Sequence, residues 1–162
     1  KKLQMLPAIR YIEGPETQQG VNIATVSGSN TLVYTDGSVK AGTMYTYTVR
    51  AYKGSALSAY NKNGSRIVRL TAPVQYKPSS KASGKLTVRW KKAAGASSYQ
   101  IQYAASRSMR GSRTVSTSAL TRTLSGLKKG STCYVRIRSC KKVNGKAYYG
   151  TWSSVKNAKV RK

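Results

Sequence analysis

Acid and imidazole are what this chain lacks. It has no histidine and only three carboxylates in 162 residues, Glu13, Glu16 and Asp36. General acid–base and nucleophilic catalysis need a carboxylate, a histidine, or a tuned Lys or Cys beside a partner that shifts its pKa. Metal centres draw on clusters of His, Cys, Asp and Glu. A Ser–His–Asp triad or a zinc hydrolase is therefore excluded. A carboxylate pair is disfavoured, because all three acids fall in the first quarter of the chain, in a stretch without strand or helix pattern. A Lys or Ser nucleophile would stand with nothing to mark it. The chain reads as a non-enzyme, with no cofactor and no metal.

Long apolar runs are missing too. No segment approaches the roughly 18 residues needed to cross a membrane, so no membrane span is expected. There is no signal peptide, and the first residue is Lys1 rather than Met. The sequence reads as an internal or processed segment.

Positive charge is abundant. Nine of the thirty Lys and Arg, with all three acids, precede Ala72 and give a net +6. The other twenty-one bases have no acid among them, a net +21, and the whole chain carries +27. Blocks this basic imply anionic partners such as nucleic acid, lipid head groups or polyanionic polymers, or else a solubilising surface.

The apolar pattern has a period of two. Leu86-Thr-Val-Arg-Trp90, Tyr99-Gln-Ile-Gln-Tyr103 and Cys133-Tyr-Val-Arg-Ile-Arg138 all alternate, which marks strands with one buried face. Gly, Ser, Asn and Lys clusters punctuate them. No segment keeps a helical period, so the class is all-β. The stretch Lys40–Tyr52 aligns without gaps on Lys128–Cys140, with Lys, Gly and Arg at equivalent places and the alternation in phase. A spacing of 88 residues suits a sandwich domain rather than a solenoid repeat. The boundary is expected near Thr71-Ala72-Pro73, giving domains 1–71 and 72–162.

At this point residues 72–162 resemble a complete fibronectin type III domain, of the Lys- and Tyr-rich kind found in tandem on Gram-positive bacterial surface proteins. The resemblance rests on Leu70-Thr-Ala-Pro73, the strand Leu86–Trp90, the turn Lys91-Lys-Ala-Ala-Gly-Ala96 and the strand Tyr99–Tyr103. It continues through Leu127-Lys-Lys-Gly130 and Asn144-Gly145 to Tyr148-Tyr-Gly-Thr-Trp152-Ser, the latter as the F–G hairpin and strand G. The family implies an immunoglobulin-like β-sandwich, with strands A, B and E on one sheet and C, C′, F and G on the other. It also implies adhesion, spacing or carbohydrate-related roles and no catalysis.

The first domain matches only from about Ile23, through Ile23–Val26, Thr31–Tyr34, strand F and a G-like Ser65–Leu70. It lacks strands A and B and reads as a truncated module. Residues 1–22 read as irregular and loosely ordered. With a permitted codon choice, a neighbouring frame of that stretch resembles the B–C turn and strand C of the same family. On that reading, residues 1 to about 21 are out-of-frame translation.

The expected core of the second domain is Trp90, Tyr99, Ile101, Tyr103, Leu127, Cys133, Val135 and Ile137; of the first, Tyr45, Tyr47 and Val49. Cys133 stands where Tyr45 stands in the first copy, the place where the family has a strand-F core tyrosine. An underfilled volume is expected there. Cys133 and Cys140 are seven residues apart on one strand, so they point to opposite faces. At about 3.3 Å per residue they lie roughly 23 Å apart, too far for a disulfide. Cys133 reads as a small buried hydrophobe and Cys140 as a surface thiol, with intermolecular pairing the lesser reading.

Arg136 and Arg138 alternate with the core positions and should face outward. With Lys141, Lys142, Lys146 and Tyr149 they form the candidate anion- or ligand-binding surface. Aromatics interleaved with bases can stack on sugars or nucleobases. Further bases at Lys91, Lys92, Arg107, Arg110, Arg113, Lys128 and Lys129 spread the charge into a diffuse field. Two functions follow. One is a non-catalytic extracellular spacer or adhesion module, joined to other domains of one polypeptide and held on anionic cell-wall polymer or carbohydrate. The alternative is a basic nucleic-acid-binding protein, although no nucleic-acid motif is visible and charge this high binds DNA non-specifically.

Overall fold

Apolar residues at every second position bury one side of an extended chain, and strands follow wherever that alternation holds. The computed structural model describes residues 4–12, 21–26, 33–60 and 63–162, which form strands and no helix. They divide into two units, Lys1–Arg69 and Leu70–Lys162. The first contains β1 (Gln4–Ile12), β2 (Val21–Ala24), β3 (Met44–Lys53), β4 (Ala56–Leu57) and β5 (Ser65–Val68). The second contains β6 (Leu86–Arg89), β7 (Ser98–Ala104), β8 (Arg113–Thr117), β9 (Thr121–Leu124), β10 (Thr132–Val143), β11 (Lys146–Tyr149) and β12 (Lys156–Lys159).

In the second unit, β11-β10-β7-β8 form one sheet, with β12 pairing the start of β10. β6 pairs β9, and isolated bridges Gln75↔Trp90 and Ser79↔Thr87 lay the preceding chain along β6. This is the A, B, E against C′, C, F, G division that the resemblance implies. Between the layers lie Leu86, Val88, Trp90, Tyr99, Ile101, Leu124, Cys133, Val135, Ile137 and Val160, with Tyr103 and Leu127 half-buried at the margin. Burying each Val, Leu or Ile contributes about 1.5–3 kcal/mol. Trp90 meets Tyr99 edge-on at 5.4 Å, and the Tyr99 hydroxyl accepts the Ala93 N–H at 3.0 Å.

The hairpin after β10 turns at Asn144-Gly145, both with positive φ, as a tight two-residue turn demands. Its return arm differs from expectation. Pairing stops after Tyr149, and the lower part of strand G is β12, at Lys156–Lys159. Gly150 still donates its N–H to the Ser139 carbonyl at 2.9 Å, and a Cβ there would meet the Ser139 hydroxyl, and the Leu70 carbonyl at 3.0 Å, so the position takes glycine. Ser153 then bridges the gap, donating its N–H to the Ile137 carbonyl at 2.7 Å and accepting the Ile137 N–H on its hydroxyl at 3.0 Å.

In the first unit the order is β2-β1-β3-β4, with β5 also pairing β3. It is the same C′, C, F, G sheet. The expectation that residues 1–22 are irregular fails for Gln4–Ile12, which runs antiparallel to β3 in the place of strand C. Pairing holds from Gln4↔Tyr52 to Leu6↔Arg50, slips, and resumes at Ile9↔Thr48. Pro7 lies in the slip. A proline has no N–H for the ladder and is accommodated at a bulge. Residues 13–20 lie outside the described residues, as do Thr31 and Leu32, and Val33–Tyr34 carry no strand pairing.

Two core expectations for this unit need correction. Val49 is 46% exposed and Ile67 is 55% exposed. They share the face of β3–β5 that in the second unit meets β6 and β9, and among the described residues no such layer lies over them. Tyr47 is only half-buried, and its hydroxyl donates to Asp36 Oδ2 at 2.9 Å. Met44, Thr48 and Val68, on the opposite face, are buried instead. Tyr45 is buried, with its hydroxyl accepting the Lys40 N–H at 2.8 Å.

Candidate functional site

On β10, Cys133, Val135, Ile137 and Ser139 are buried, so Arg136 and Arg138 lie on the outer side of the sheet. Across on β7 their register partners are Gln102 and Gln100. Arg136 Nε donates to Gln102 Oε1 at 2.7 Å, and Arg138 donates from Nε and Nη2 to Gln100 Oε1 at 2.9 and 2.7 Å. On the other side the guanidiniums stack on rings. Arg136 lies 4.7 Å from the Trp152 centroid, Arg138 4.5 Å from Trp152 and 4.0 Å from Tyr149. Two cations and two rings therefore interleave, backed by a row of glutamines. Each cation–π contact contributes about 0.5–1 kcal/mol where exposed. The larger consequence is orientation, because stacked and hydrogen-bonded guanidiniums hold their remaining N–H groups in fixed directions.

The ladder is not neutralised from within. Residues 72–162 contain no carboxylate side chain, and glutamine oxygens and ring faces carry no net charge.

The candidate surface separates in two. Register pairing puts Lys142 and Tyr149 on the Arg136–Arg138 face, whereas Lys141 and Lys146 fall on the other. Lys146 Nζ instead lies 5.7 Å from the Tyr148 ring. Trp152, Gln100 and Gln102 belong to the face but were missing from the expected set. Their signal was available: glutamines alternate on one strand as arginines do on its neighbour, with aromatics on the return strand. In the first unit, Arg50, the counterpart of Arg138, lies 4.5 Å from the Tyr60 ring. Thr48 stands in the place of Arg136, so among the described residues the alternation of two arginines is not repeated.

Cys140 is corrected here. It lies on the outer face as parity required, yet is 6% exposed, paired between Tyr149 and Ser98. Burial pushes its thiol above the ordinary range, opposed by the Arg138 charge and hydrogen bonds from Gln100 and Ser98. Burial alone raises Cys133. Both cysteines are free thiols. Among the described residues no three His, Cys, Asp or Glu gather as a metal site, and no helix is long and apolar enough to cross a membrane.

No protein-family model matches the chain, and no curated protein matches it. Among solved structures it is similar to the crystal structure of chicken CNTN1 FN1–FN3 domains, at 20% identity and a TM-score of 0.49. That match covers 100% of this chain and 55% of the other.

Proposed function

We propose that the chain is a non-catalytic extracellular spacer and adhesion module of a larger bacterial surface protein, retained on anionic cell-wall polymer. The observation that carries this reading is the Arg136–Trp152–Arg138–Tyr149 ladder, on a domain with no acid of its own. An extended polyanion suits such a face. Phosphates or carboxylates accept from the oriented guanidiniums, and exposed Lys142 adds charge beside them. Sugar rings of the polymer can stack on Tyr149, which is open to solvent.

The test is binding of the full chain to purified Gram-positive cell wall, with and without its anionic polymers, beside random duplex DNA, across a salt series. Binding that needs the polymers and persists at physiological salt, while DNA binding collapses, is the expected result. Tighter, salt-resistant binding to DNA would overturn it and favour a nucleic-acid binder. Loss of both would leave a spacer whose charge serves solubility.

A further inference from the structure

The two copies of strand F differ at one position with a spatial consequence. In the first unit Tyr45 is 3% exposed, and its hydroxyl takes the N–H of Lys40, in the turn that leads into its own strand. Shifted by 88 residues, these positions become Cys133 and Lys128. There the second unit has a cavity of about 230 Å³, open to solvent, whose lining includes Cys133, Lys128, Leu127, Gly126, Tyr103 and Ala104. Both members of the first unit's tyrosine–turn pair thus have their counterparts in its wall. A thiol ends where a phenol ring would continue. The Cys133 thiol donates to the adjoining Tyr134 carbonyl, at 3.9 Å.

We propose that this cavity is a binding site for a one-ring phenol, its ring taking the place that Tyr45 fills in the first unit. The volume is sufficient, because an apolar cavity of about 150 Å³ already holds benzene. The lining suits such a ligand. Leu127, Tyr103 and Ala104 offer apolar and ring contacts, and sulfur at an aromatic edge is favourable. Burial keeps the Cys133 thiol neutral at physiological pH, so the wall at that point carries no thiolate charge. Among the lining residues, Lys128 and Arg113 carry N–H donors for a phenolic oxygen.

The experiment is a titration of the full chain with p-cresol, followed by backbone NMR shifts, with toluene as the ring without a hydroxyl. The expected result is saturable binding, with shifts concentrated at residues 103–105, 111–113 and 126–133, and toluene at least threefold weaker. Cys133→Tyr should abolish the binding by filling the cavity. Cys133→Leu, a smaller change, should weaken it at least tenfold and serves if the tyrosine variant fails to fold. Shifts scattered over the surface, or binding unchanged in either folded variant, would overturn the proposal. So would the absence of saturation.

Discussion

The sheet β2-β1-β3-β4 of the first unit and the sheet β8-β7-β10-β11 of the second share a strand order and a repeated central strand, yet differ in how far the matching face is covered. In the second, the face carrying Val135 and Ile137 is closed off beneath β6 and β9. In the first, the equivalent face leaves Val49 and Ile67 open to solvent. Alternation therefore specifies which residues share a side, while burial depends on whether another layer arrives. The outer faces differ as well. One carries a four-membered Arg–aromatic ladder and the other, among the described residues, the Arg50–Tyr60 contact.

The largest effect should come from truncating matched positions. Ile137 is fully buried, so Ile137→Ala should cost about 2–5 kcal/mol in urea unfolding of the second unit. Val49→Ala, at the same register position of the first unit, should stay within about 0.5 kcal/mol. Equal costs would mean that the first unit's face is covered after all.

Exchanging the strand-F residue comes next. Tyr45→Cys removes a buried ring and the bond to Lys40 and should cost about 2–4 kcal/mol. The reverse change, Cys133→Tyr, should stabilise by about 0.5–2 kcal/mol as a cavity-filling substitution. Thermal unfolding of both variants reads the asymmetry.

Gly150→Ala should cost about 1–3 kcal/mol by overpacking against Ser139 and Leu70. A melting temperature unchanged by that substitution would show that the backbone can move aside at the break in strand G.

The smallest effect is pH-dependent. Both folded thiols are raised above 9.0, chiefly by burial, so the unfolded chain gives up these protons more readily than the native chain does. Their contribution is fully present at neutral pH and is lost as pH rises beyond 9 toward the folded values. Alkylation should follow the same order, with its pH midpoint above 9.0 in the native chain and near the ordinary value in urea.

Much of the second unit was legible in its residues. Period-two alternation placed β6, β7 and β10, and Asn144-Gly145 placed the hairpin. The 88-residue repeat also pairs Cys133, which lines the hollow, with Tyr45. The strand at Gln4–Ile12 was obscured by Pro7, whose missing N–H argues against a strand until a bulge is allowed for. Val49 was misassigned because parity names a face without saying what covers it. Cys140 was misassigned for the converse reason, as an outward residue shielded by its surroundings. Trp152 joins the ladder although the strand breaks between it and Tyr149, so the aromatics of the return arm mark it where strand parity does not carry through.

The most direct measurement is wall binding of the full chain at physiological salt, comparing Arg136→Gln/Arg138→Gln with Arg50→Gln. Removing two phosphate-type contacts should flatten the slope of log affinity against log salt by about 1 to 2 and weaken binding. Arg50→Gln should leave both unchanged. Equal losses from the two variants, or a loss confined to Arg50→Gln, would contradict the assignment of function to the second unit's outer face.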